Sequence, residues 1–364
     1  MDSLSRRILD KEDEVVALTR DLVRIPTVNP PGDAYTPCAR LIGDRLARRG
    51  FEIEYVRGQD AIGDSDKYPR TNVIARIEGN RSGPCVHFNG HIDVVEPGLG
   101  WTVDPYEGVV KDGKVYGRGS CDMKGGLAAA IVAVEALLEQ HGRDFPGAIE
   151  ISGTVDEESG GYGGVAYLAE NGYFSKPRVD HVIIPEPLNV DRVCIGHRGV
   201  WWAEVETRGK IAHGSMPFLG DSAIRQMGAF LARIEQDLYP ALERKKTTMP
   251  VVPEGARQST LNINSLHGGL GEDFIGLPAA LVADSCRMVL DRRFLIEENI
   301  DDVKAEVVDI LESLRRDREQ FSYTLRDMME VPPTMTEEDA PVVLAVAHEI
   351  ERVLGRKAQT VVSP

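Results

Sequence analysis

CVHFNGHIDVV, residues 85–95, is the stretch that decides the fold prediction, because His91 and Asp93 stand two positions apart within an apolar run. Such a run is typical of a strand buried in a sheet, and residues i and i+2 of a strand lie on the same face. A charged group that is buried alone costs several kcal/mol. We therefore expect the two side chains to be directed at a common partner.

Strand and helix patterns alternate around this stretch through the first half of the chain. Strands are predicted at 51–56, 72–77, 148–155 and 180–185, and helices at 10–24, 35–49, 123–140 and 161–170. This alternation predicts an α/β fold with a mostly parallel sheet flanked by helices. Residues 107–117, EGVVKDGKVYG, predict a hairpin in which Asp112 and Gly113 form the turn.

The order of elements changes near residue 200. The segments that follow predict the order β-α-β-β-α-β, which is the split βαβ arrangement of a small open sandwich. Strands are predicted at 200–209, 259–268, 280–294 and 320–327, and helices at 222–238 and 298–318. We interpret residues 197–330 as a domain inserted into a first domain made of 1–196 and 331–364. A last helix at 340–354 and the strand AQTVV at 358–362 are predicted to return to the first sheet.

Composition excludes several classes of function. The 364 residues carry a formal net charge of −16, which argues against nucleic acid, because binding phosphates requires clustered Lys and Arg. The charged N-terminus does not have the apolar core of a signal peptide, and no window approaches the roughly 18 apolar residues that span a membrane. We expect a cytoplasmic protein. Its five cysteines form no C-x-x-C pair and are predicted to be reduced.

Polar residues recur where the predicted strands of the first domain end. They are His91 and Asp93, Asp122 in GRGSCDMKGG, Asp156, Glu157 and Glu158 in TVDEESGG, and Glu186 in IIPEP. Ligands of open α/β sheets bind beyond the carboxyl ends of the strands. Carboxylates gathered there require cations to neutralise them. Oxygen and imidazole donors indicate a pair of Zn²⁺ or similar divalent ions.

Each of these residues has an ordinary interpretation when it is taken alone. A strand histidine is usually a satisfied core or surface residue, and a Glu-Glu pair is usually solvated. Asp122 has the residue type of a helix N-cap, and Cys121 is either a thiolate ligand or a small residue in a tight loop. The recurrence of ligand-type residues at four successive strand ends favours the metal site.

GHIDVV, GRGSCDMKGG, DEESGG, PEP and AHGSMPFLGDSAI occur in an order and spacing that resembles the M20 metallopeptidases, the group of acetylornithine deacetylase and succinyl-diaminopimelate desuccinylase. The resemblance covers nearly the whole chain. It implies a catalytic α/β domain with a dinuclear zinc site, in which Co²⁺ or Mn²⁺ are possible substitutes. It also implies an inserted ferredoxin-like βαββαβ domain that acts as a lid and joins two chains into a homodimer.

The resemblance also implies roles for individual residues. The predicted metal ligands are His91 and Glu186 for the first ion, Glu158 for the second, and Asp122 as the bridge between them. Asp93 matches the carboxylate that orients His91. Glu157 matches the general base, which takes a proton from the metal-bridging water and passes it to the leaving nitrogen.

Three further candidate site residues lie in the predicted inserted domain, and two of them match residues of the family. His213 in AHGSMP matches the histidine that stabilises the developing oxyanion, and Arg293 in DRRF matches the arginine that pairs with a substrate carboxylate. An arginine on the surface is the alternative for Arg293, and Arg292 is predicted to face the other side of the strand. Asn262 is predicted to lie near the substrate groove.

One feature departs from the family pattern. The family completes its second metal site with a histidine from a loop near the C-terminus, whereas this chain ends at Ser363 and Pro364. His348 lies within a predicted amphipathic helix and does not match. Either the chain is truncated or the second site is open, and we expect truncation because AQTVVSP has the pattern of a strand entering a loop.

The predicted reaction is hydrolysis of the amide of a small N-acyl amino acid, of the deacetylase or desuccinylase type. A dipeptidase, an N-carbamoyl amino acid hydrolase and an aminohydrolase of aromatic amines would use the same residues. A metal-binding module without activity is a different class of protein. The presence of Glu157 argues against that class, because a site that only binds metal does not need a base beside its ligands.

Overall fold

The computed structural model describes residues 3–269 and 280–364. Its Cα positions form two compact units, Met1–Val190 and Asp191–Pro364. None of the helices in the described residues is long and apolar enough to cross a membrane. All five cysteines are free, and three of them, Cys38, Cys85 and Cys286, are buried. The finer division into 1–196, 197–330 and 331–364 stays a prediction.

The first unit is a mixed α/β structure. Its helices are α1 (Ser3–Leu9), α2 (Glu12–Val23), α3 (Tyr35–Ala47), α4 (Lys124–His141) and α5 (Tyr167–Glu170). Its strands are β1 (Glu52–Arg57), β2 (Thr71–Glu78), β3 (Arg81–His91), β4 (Val109–Lys111), β5 (Lys114–Tyr116), β6 (Pro146–Thr154) and β7 (His181–Ile183).

The main sheet of this unit has the strand order β1-β2-β6-β3-β7. Strand β2 is antiparallel to both of its neighbours, whereas β3 is parallel to β6 and to β7. Four strands therefore share one direction and β2 alone opposes them. The carboxyl ends of β6, β3 and β7 lie side by side at one edge, and this arrangement gathers the polar residues that follow them.

One face of this sheet carries the apolar core. Leu22 of α2, Ile42 of α3 and Leu127 of α4 are fully buried in a single cluster with side chains of β2 and β6. The helices approach closely, because a Cβ added at Gly90 would lie 3.1 Å from the Cβ of Leu127. The alternating apolar pattern of the strands accounts for this face.

The other face of β3 and β6 is polar although it is buried. His87, Asn89 and His91 alternate along β3, and Ser152 Oγ lies 2.7 Å from His87 Nε2 and accepts a 2.8 Å hydrogen bond from Asn89 Nδ2. Glu150 of β6 has no exposed surface. The guanidinium groups of Arg76 and Arg178 each donate to its Oε1 at 2.8 Å, and His87 Nδ1 lies 2.9 Å from its Oε2.

Glu150→Gln is expected to lower the free energy of unfolding by about 2 kcal/mol near neutral pH, the usual scale for hydrogen bonds to a charged group. Burial raises the pKa of the Glu150 carboxyl, but His87 and Arg76 outweigh this and hold it below its ordinary value of 4.5. The stabilisation is therefore present above about pH 4.5 and is lost as the pH falls below it. Urea unfolding of both proteins between about pH 3 and 7 measures this, and a difference in the free energy of unfolding that stays constant below about pH 4.5 would contradict it.

The second unit contains helices α6 (Ala223–Arg233), α7 (Tyr239–Leu242), α8 (Ile300–Asp317) and α9 (Pro341–Leu354). Its strands are β8 (Arg192–His197), β9 (Gly199–Arg208), β10 (Thr260–Gly269), β11 (Ser285–Phe294), β12 (Ser322–Val331), β13 (Thr334–Met335) and β14 (Gln359–Ser363). An antiparallel sheet has the order β10-β11-β9-β12. Trp201, Phe230 and Leu311 bury its apolar face against α6 and α8. Along the chain, the order β9-α6-β10-β11-α8-β12 is β-α-β-β-α-β.

The prediction that AQTVV joins the first sheet is wrong. Strand β14 pairs in parallel with β8, and β8 also pairs with β13 in a separate three-stranded sheet. Val362 of β14 is buried in a cluster that includes Val193 and Ile195 of β8 and Val251. An apolar strand pattern indicates burial but does not identify the partner strand, and β8 was not among the predicted strands.

Candidate metal centre and active site

The imidazole of His91 lies at the end of β3 and has almost no exposed surface. Its Nε2 is 3.0 Å from Asp122 Oδ1 and 3.5 Å from Glu186 Oε1. One ligand atom from each of the three residues can be chosen so that all lie within 4.8 Å of one another. In the described part of the chain these three side chains form a group that could hold a metal ion. Their roles as ligands of the first ion stay predictions.

Adjacent strands bring these side chains together. His91 ends β3, Glu186 follows the neighbouring β7, and Asp122 stands in the loop immediately before α4. Gly126, in the first turn of α4, allows that helix to approach closely, because an added Cβ would collide with the carbonyl oxygen of Pro185. Gly126 therefore lets the start of α4, which follows Asp122, lie against the segment that leads into Glu186.

The charges of this group are strongly coupled. Burial alone would lower the pKa of His91, but hydrogen bonds to Asp122 and Asp93 and the charge of Glu186 raise it to about 11. Burial raises the pKa of Glu186 to about 7, against the opposing effect of His91 and with reinforcement from Asp122. The carboxylates are held together at the cost of mutual repulsion, and a divalent cation would remove that cost. One imidazole and two carboxylates fit Zn²⁺ and similar ions.

Asp93 connects His91 to the turn that follows β6. Its buried carboxylate lies 3.4 Å from His91 Nδ1, and its backbone carbonyl oxygen lies 3.0 Å from the same nitrogen. The backbone N–H groups of Glu157 and Glu158 donate to the Asp93 carboxylate at 3.2 and 3.1 Å. Asn29 Nδ2 donates to it at 3.2 Å. Asp93 thus holds both the histidine and the Glu157–Glu158 backbone, a second task that the sequence did not indicate.

Glu157 and Glu158 lie on a short 3₁₀ turn, Glu157–Ser159. Burial raises the pKa of both carboxyl groups; Asp122 reinforces the shift at each residue and His91 opposes it. Their roles as general base and second-ion ligand stay predictions. A partly buried carboxyl group whose pKa is raised, close to other titratable groups, is a candidate for proton transfer.

His213 is an exposed residue of the second unit. The backbone N–H of Ser215 donates to its Nδ1 at 3.2 Å, and Ser215 Oγ lies 2.8 Å from the same nitrogen. An Nδ1 that accepts a hydrogen bond leaves the proton of a neutral imidazole on Nε2. The Nε2–H group of His213 is therefore available as a hydrogen-bond donor.

Arg293 and Asn262 are neighbours on one sheet. Asp291 holds the Arg293 guanidinium through contacts of 2.7 Å to Nε and 3.2 Å to Nη2. Asn262 of β10 stands opposite Asp291 of β11, so the three share a face. Arg292 lies on the other face, as its strand position predicted. It is fully buried there and pairs with Glu298 and Glu306.

Three residues that hold the turn Glu157–Ser159 in place could not be recognised from the sequence. They are Asn29, Tyr35 and Arg70, whose side chains reach Asp93 or Asp156. None of them belongs to a motif quoted above. Polar residues in a loop, such as Asn29 and Arg70, or at the start of a helix, such as Tyr35, are a weak signal, since polarity is ordinary at such positions.

Comparison with known proteins identifies the family to which this chain belongs. The sequence model described as Peptidase family M20/M25/M40 matches residues 87–364. The succinyl-diaminopimelate desuccinylase of Methylorubrum extorquens (strain PA1) is 31% identical over an alignment of 350 residues. The alignment covers 94% of this chain and 83% of that protein.

Two solved structures have the same fold. Human carnosine dipeptidase 1 superposes with a TM-score of 0.75 at 20% identity, covering 100% of this chain and 87% of that chain. The M20 family metallo-carboxypeptidase Sso-CP2 from Sulfolobus solfataricus gives a TM-score of 0.73 at 16% identity, covering 96% and 86%. The chain therefore belongs to peptidase family M20/M25/M40, and it is a metal-dependent hydrolase of amide bonds.

Proposed function

We propose that this chain hydrolyses the amide bond of a small N-acyl amino acid, with an N-succinyl amino acid as the first candidate, and releases a carboxylate and an amine. The observation that carries the proposal is the group formed by His91, Asp122 and Glu186, with Glu157 on the adjacent turn. The desuccinylase relative, 31% identical over most of the chain, supports the choice of acyl group.

The residues of the first unit have two roles in this proposal, metal binding and proton transfer. His91, Asp122 and Glu186 would hold a divalent ion, for which we propose Zn²⁺, and Glu158 with Asp122 would contribute to a second. The chemistry that such an ion supplies when bound is activation of water and polarisation of the amide carbonyl. Glu157 accepts the proton that the attacking water releases, and it returns this proton to the amide nitrogen as the C–N bond breaks.

Residues of the second unit act on the substrate in this proposal. His213 donates a hydrogen bond from Nε2 to the oxyanion that develops on the carbonyl. Arg293 pairs with a substrate carboxylate, a task that suits its planar fork, and Asn262 lies beside it on the sheet. We also propose that residues 197–330 act as a lid and join two chains into a homodimer, and that the protein is cytoplasmic.

His213→Ala is expected to lower kcat by about a hundredfold and to change KM little, because the lost hydrogen bond forms in the transition state. Steady-state kinetics with the best substrate give both constants. Ser215→Ala is the matched variant, since it keeps the backbone N–H that donates to His213 Nδ1 and should cost far less. An unchanged kcat in His213→Ala would exclude the oxyanion role.

A substrate panel tests the proposal. Zn²⁺-loaded protein is offered N-succinyl, N-acetyl and N-carbamoyl derivatives of the same amino acids, and dipeptides, and release of free amine is measured. We expect the highest kcat/KM with an N-succinyl amino acid. A preference for dipeptides would favour the second candidate, a dipeptidase, which the carnosine dipeptidase fold likeness suggests. Absence of hydrolysis across the panel would contradict the proposed substrate class.

A further inference from the structure

The side chain of Arg70 is buried and closely packed in the first unit. The residue is 4% exposed, and its Nη1 donates to the carbonyl oxygens of Pro31 at 2.8 Å and Tyr68 at 3.0 Å. A Cβ added at Gly32, Gly63 or Gly163 would collide with the Arg70 side chain. The backbone at Gly32 and Gly63 is therefore fitted to the Arg70 guanidinium, and the backbone at Gly163 to its aliphatic stem.

The carboxylate that meets Arg70 belongs to Asp156, which immediately precedes Glu157. Arg70 Nε donates to Asp156 Oδ2 at 3.1 Å, and Tyr35 Oη donates to Asp156 Oδ1 at 3.0 Å. Asp156 is 2% exposed. Both carboxylate oxygens are thus held, one by Arg70 from the loop before β2 and the other by Tyr35 from the start of α3.

The backbone of Asp156 lies in the left-handed region, with φ at 63°. This conformation is uncommon for a residue other than glycine. The Asp156 carbonyl oxygen accepts hydrogen bonds from the N–H of Ser159 at 3.1 Å and of Gly161 at 2.6 Å. The start of the turn is therefore fixed through its side chain and its backbone at once.

We propose that Arg70 and Tyr35 are positioning residues of the hydrolytic site, which act through Asp156 to set where Glu157 and Glu158 lie. This inference rests on the proposed function of Glu157 as the base. Asp93 holds the backbone N–H groups of Glu157 and Glu158, while Arg70 and Tyr35 hold the residue before them. Misplacement of a catalytic group by about 1 Å can cost a hundredfold in rate.

Two substitutions test the inference by kinetics. Arg70→Met is expected to lower kcat by about tenfold to a hundredfold with KM nearly unchanged, and Arg70→Lys to recover part of the loss. Zn²⁺ bound at His91 should be unaffected. If Arg70 acts through Asp156, the double variant Arg70→Met with Asp156→Asn should have nearly the same kcat as Asp156→Asn alone. Losses that multiply in the double variant would overturn the proposed route.

Arg76→Met is the matched control for a general loss of stability. Arg76 also pairs with a buried carboxylate of the same unit, but its partner is Glu150, in the middle of β6. The thermal midpoint of the Arg76→Met variant should fall, while its kcat stays within about twofold of wild type. An equal fall of kcat in the Arg76 and Arg70 variants would mean that Arg70 is merely structural.

Tyr35→Phe provides a second variant in case Arg70→Met does not fold, because it removes one hydroxyl group. Its readout is hydrogen exchange of the peptide around residues 156–161 in metal-free protein. We expect exchange there at least about tenfold faster than in wild type, and no such change in Arg76→Met. Unchanged exchange in Tyr35→Phe would overturn the inference.

The exchange measurement separates this inference from the proposed function. If wild-type protein hydrolyses its substrate and Tyr35→Phe or Arg70→Met keeps kcat within about twofold, the inference fails and the proposed function stands. If Zn²⁺-loaded wild type hydrolyses no amide, the proposed function fails. Faster exchange in Tyr35→Phe then still supports the part of the inference that Tyr35 and Arg70 fix the turn.

Discussion

Glu157→Gln is expected to lower kcat by at least about a hundredfold, the usual scale of general-base catalysis, and to leave the metal content at the wild-type level. Glutamine has nearly the same shape but cannot accept the proton of the attacking water. The Asp93 carboxylate holds the Glu157 backbone N–H, so the turn should keep its form. The variant therefore removes the base and little else.

Metal content and kcat are measured together on the same preparation. Glu170→Gln is the control, since Glu170 is an exposed residue at the end of α5 and its substitution should change neither quantity. Loss of metal together with activity would make Glu157 a ligand. Full activity in Glu157→Gln would remove the base from the mechanism.

His91→Ala is expected to abolish tight binding of a divalent ion. His91 Nε2 lies within 3.5 Å of an oxygen of each of the other two proposed ligands, so its removal leaves two carboxylates without the nitrogen donor. Loss of an outer partner of a metal ligand typically costs tenfold to a hundredfold in affinity, and loss of the ligand itself should cost more than about a hundredfold. Competition with a chromophoric chelator at fixed pH measures the affinity for Zn²⁺.

Asp93→Asn is the matched comparison for His91→Ala. The amide keeps the size of the side chain but weakens the hold on the imidazole, so its loss of affinity should stay within about a hundredfold. Affinity should also fall as the pH is lowered, because protons compete with the metal for its ligands. Equal Zn²⁺ affinity in wild type and His91→Ala would contradict the ligand assignment.

The features that could be predicted from the sequence are those that depend on neighbours along the chain. Asp112 and Gly113, placed in the turn of a hairpin, both have positive φ, 52° and 71°, and join β4 to β5 as expected. His91, Asp122 and Glu186 meet because the ends of parallel strands lie together, which strand order and loop position indicate.

The features that escaped prediction depend on contacts between segments that are distant in sequence. Asp156 meets Arg70 and Tyr35 across sequence separations of 86 and 121 residues, and side-chain periodicity contains no information about such pairs. The helix predicted at 161–170 begins with a π-helical turn, Tyr162–Ala166, before α5. Gly164 has non-helical torsion angles there, and an added Cβ would collide with the Val155 carbonyl oxygen. Close packing on Val155, the residue that follows β6, outweighs helix propensity at this point.

Zn²⁺-dependent hydrolysis by chelated and reloaded protein tests the central claim most directly. The chain is stripped with a chelator, divided, and reloaded with Zn²⁺ in one portion only, and amine release from an N-succinyl amino acid is followed in both. We predict no turnover in the stripped protein and full recovery on reloading, with His91→Ala inactive at the same Zn²⁺ concentration. Equal turnover in stripped and reloaded protein, or in His91→Ala and wild type, would contradict the account.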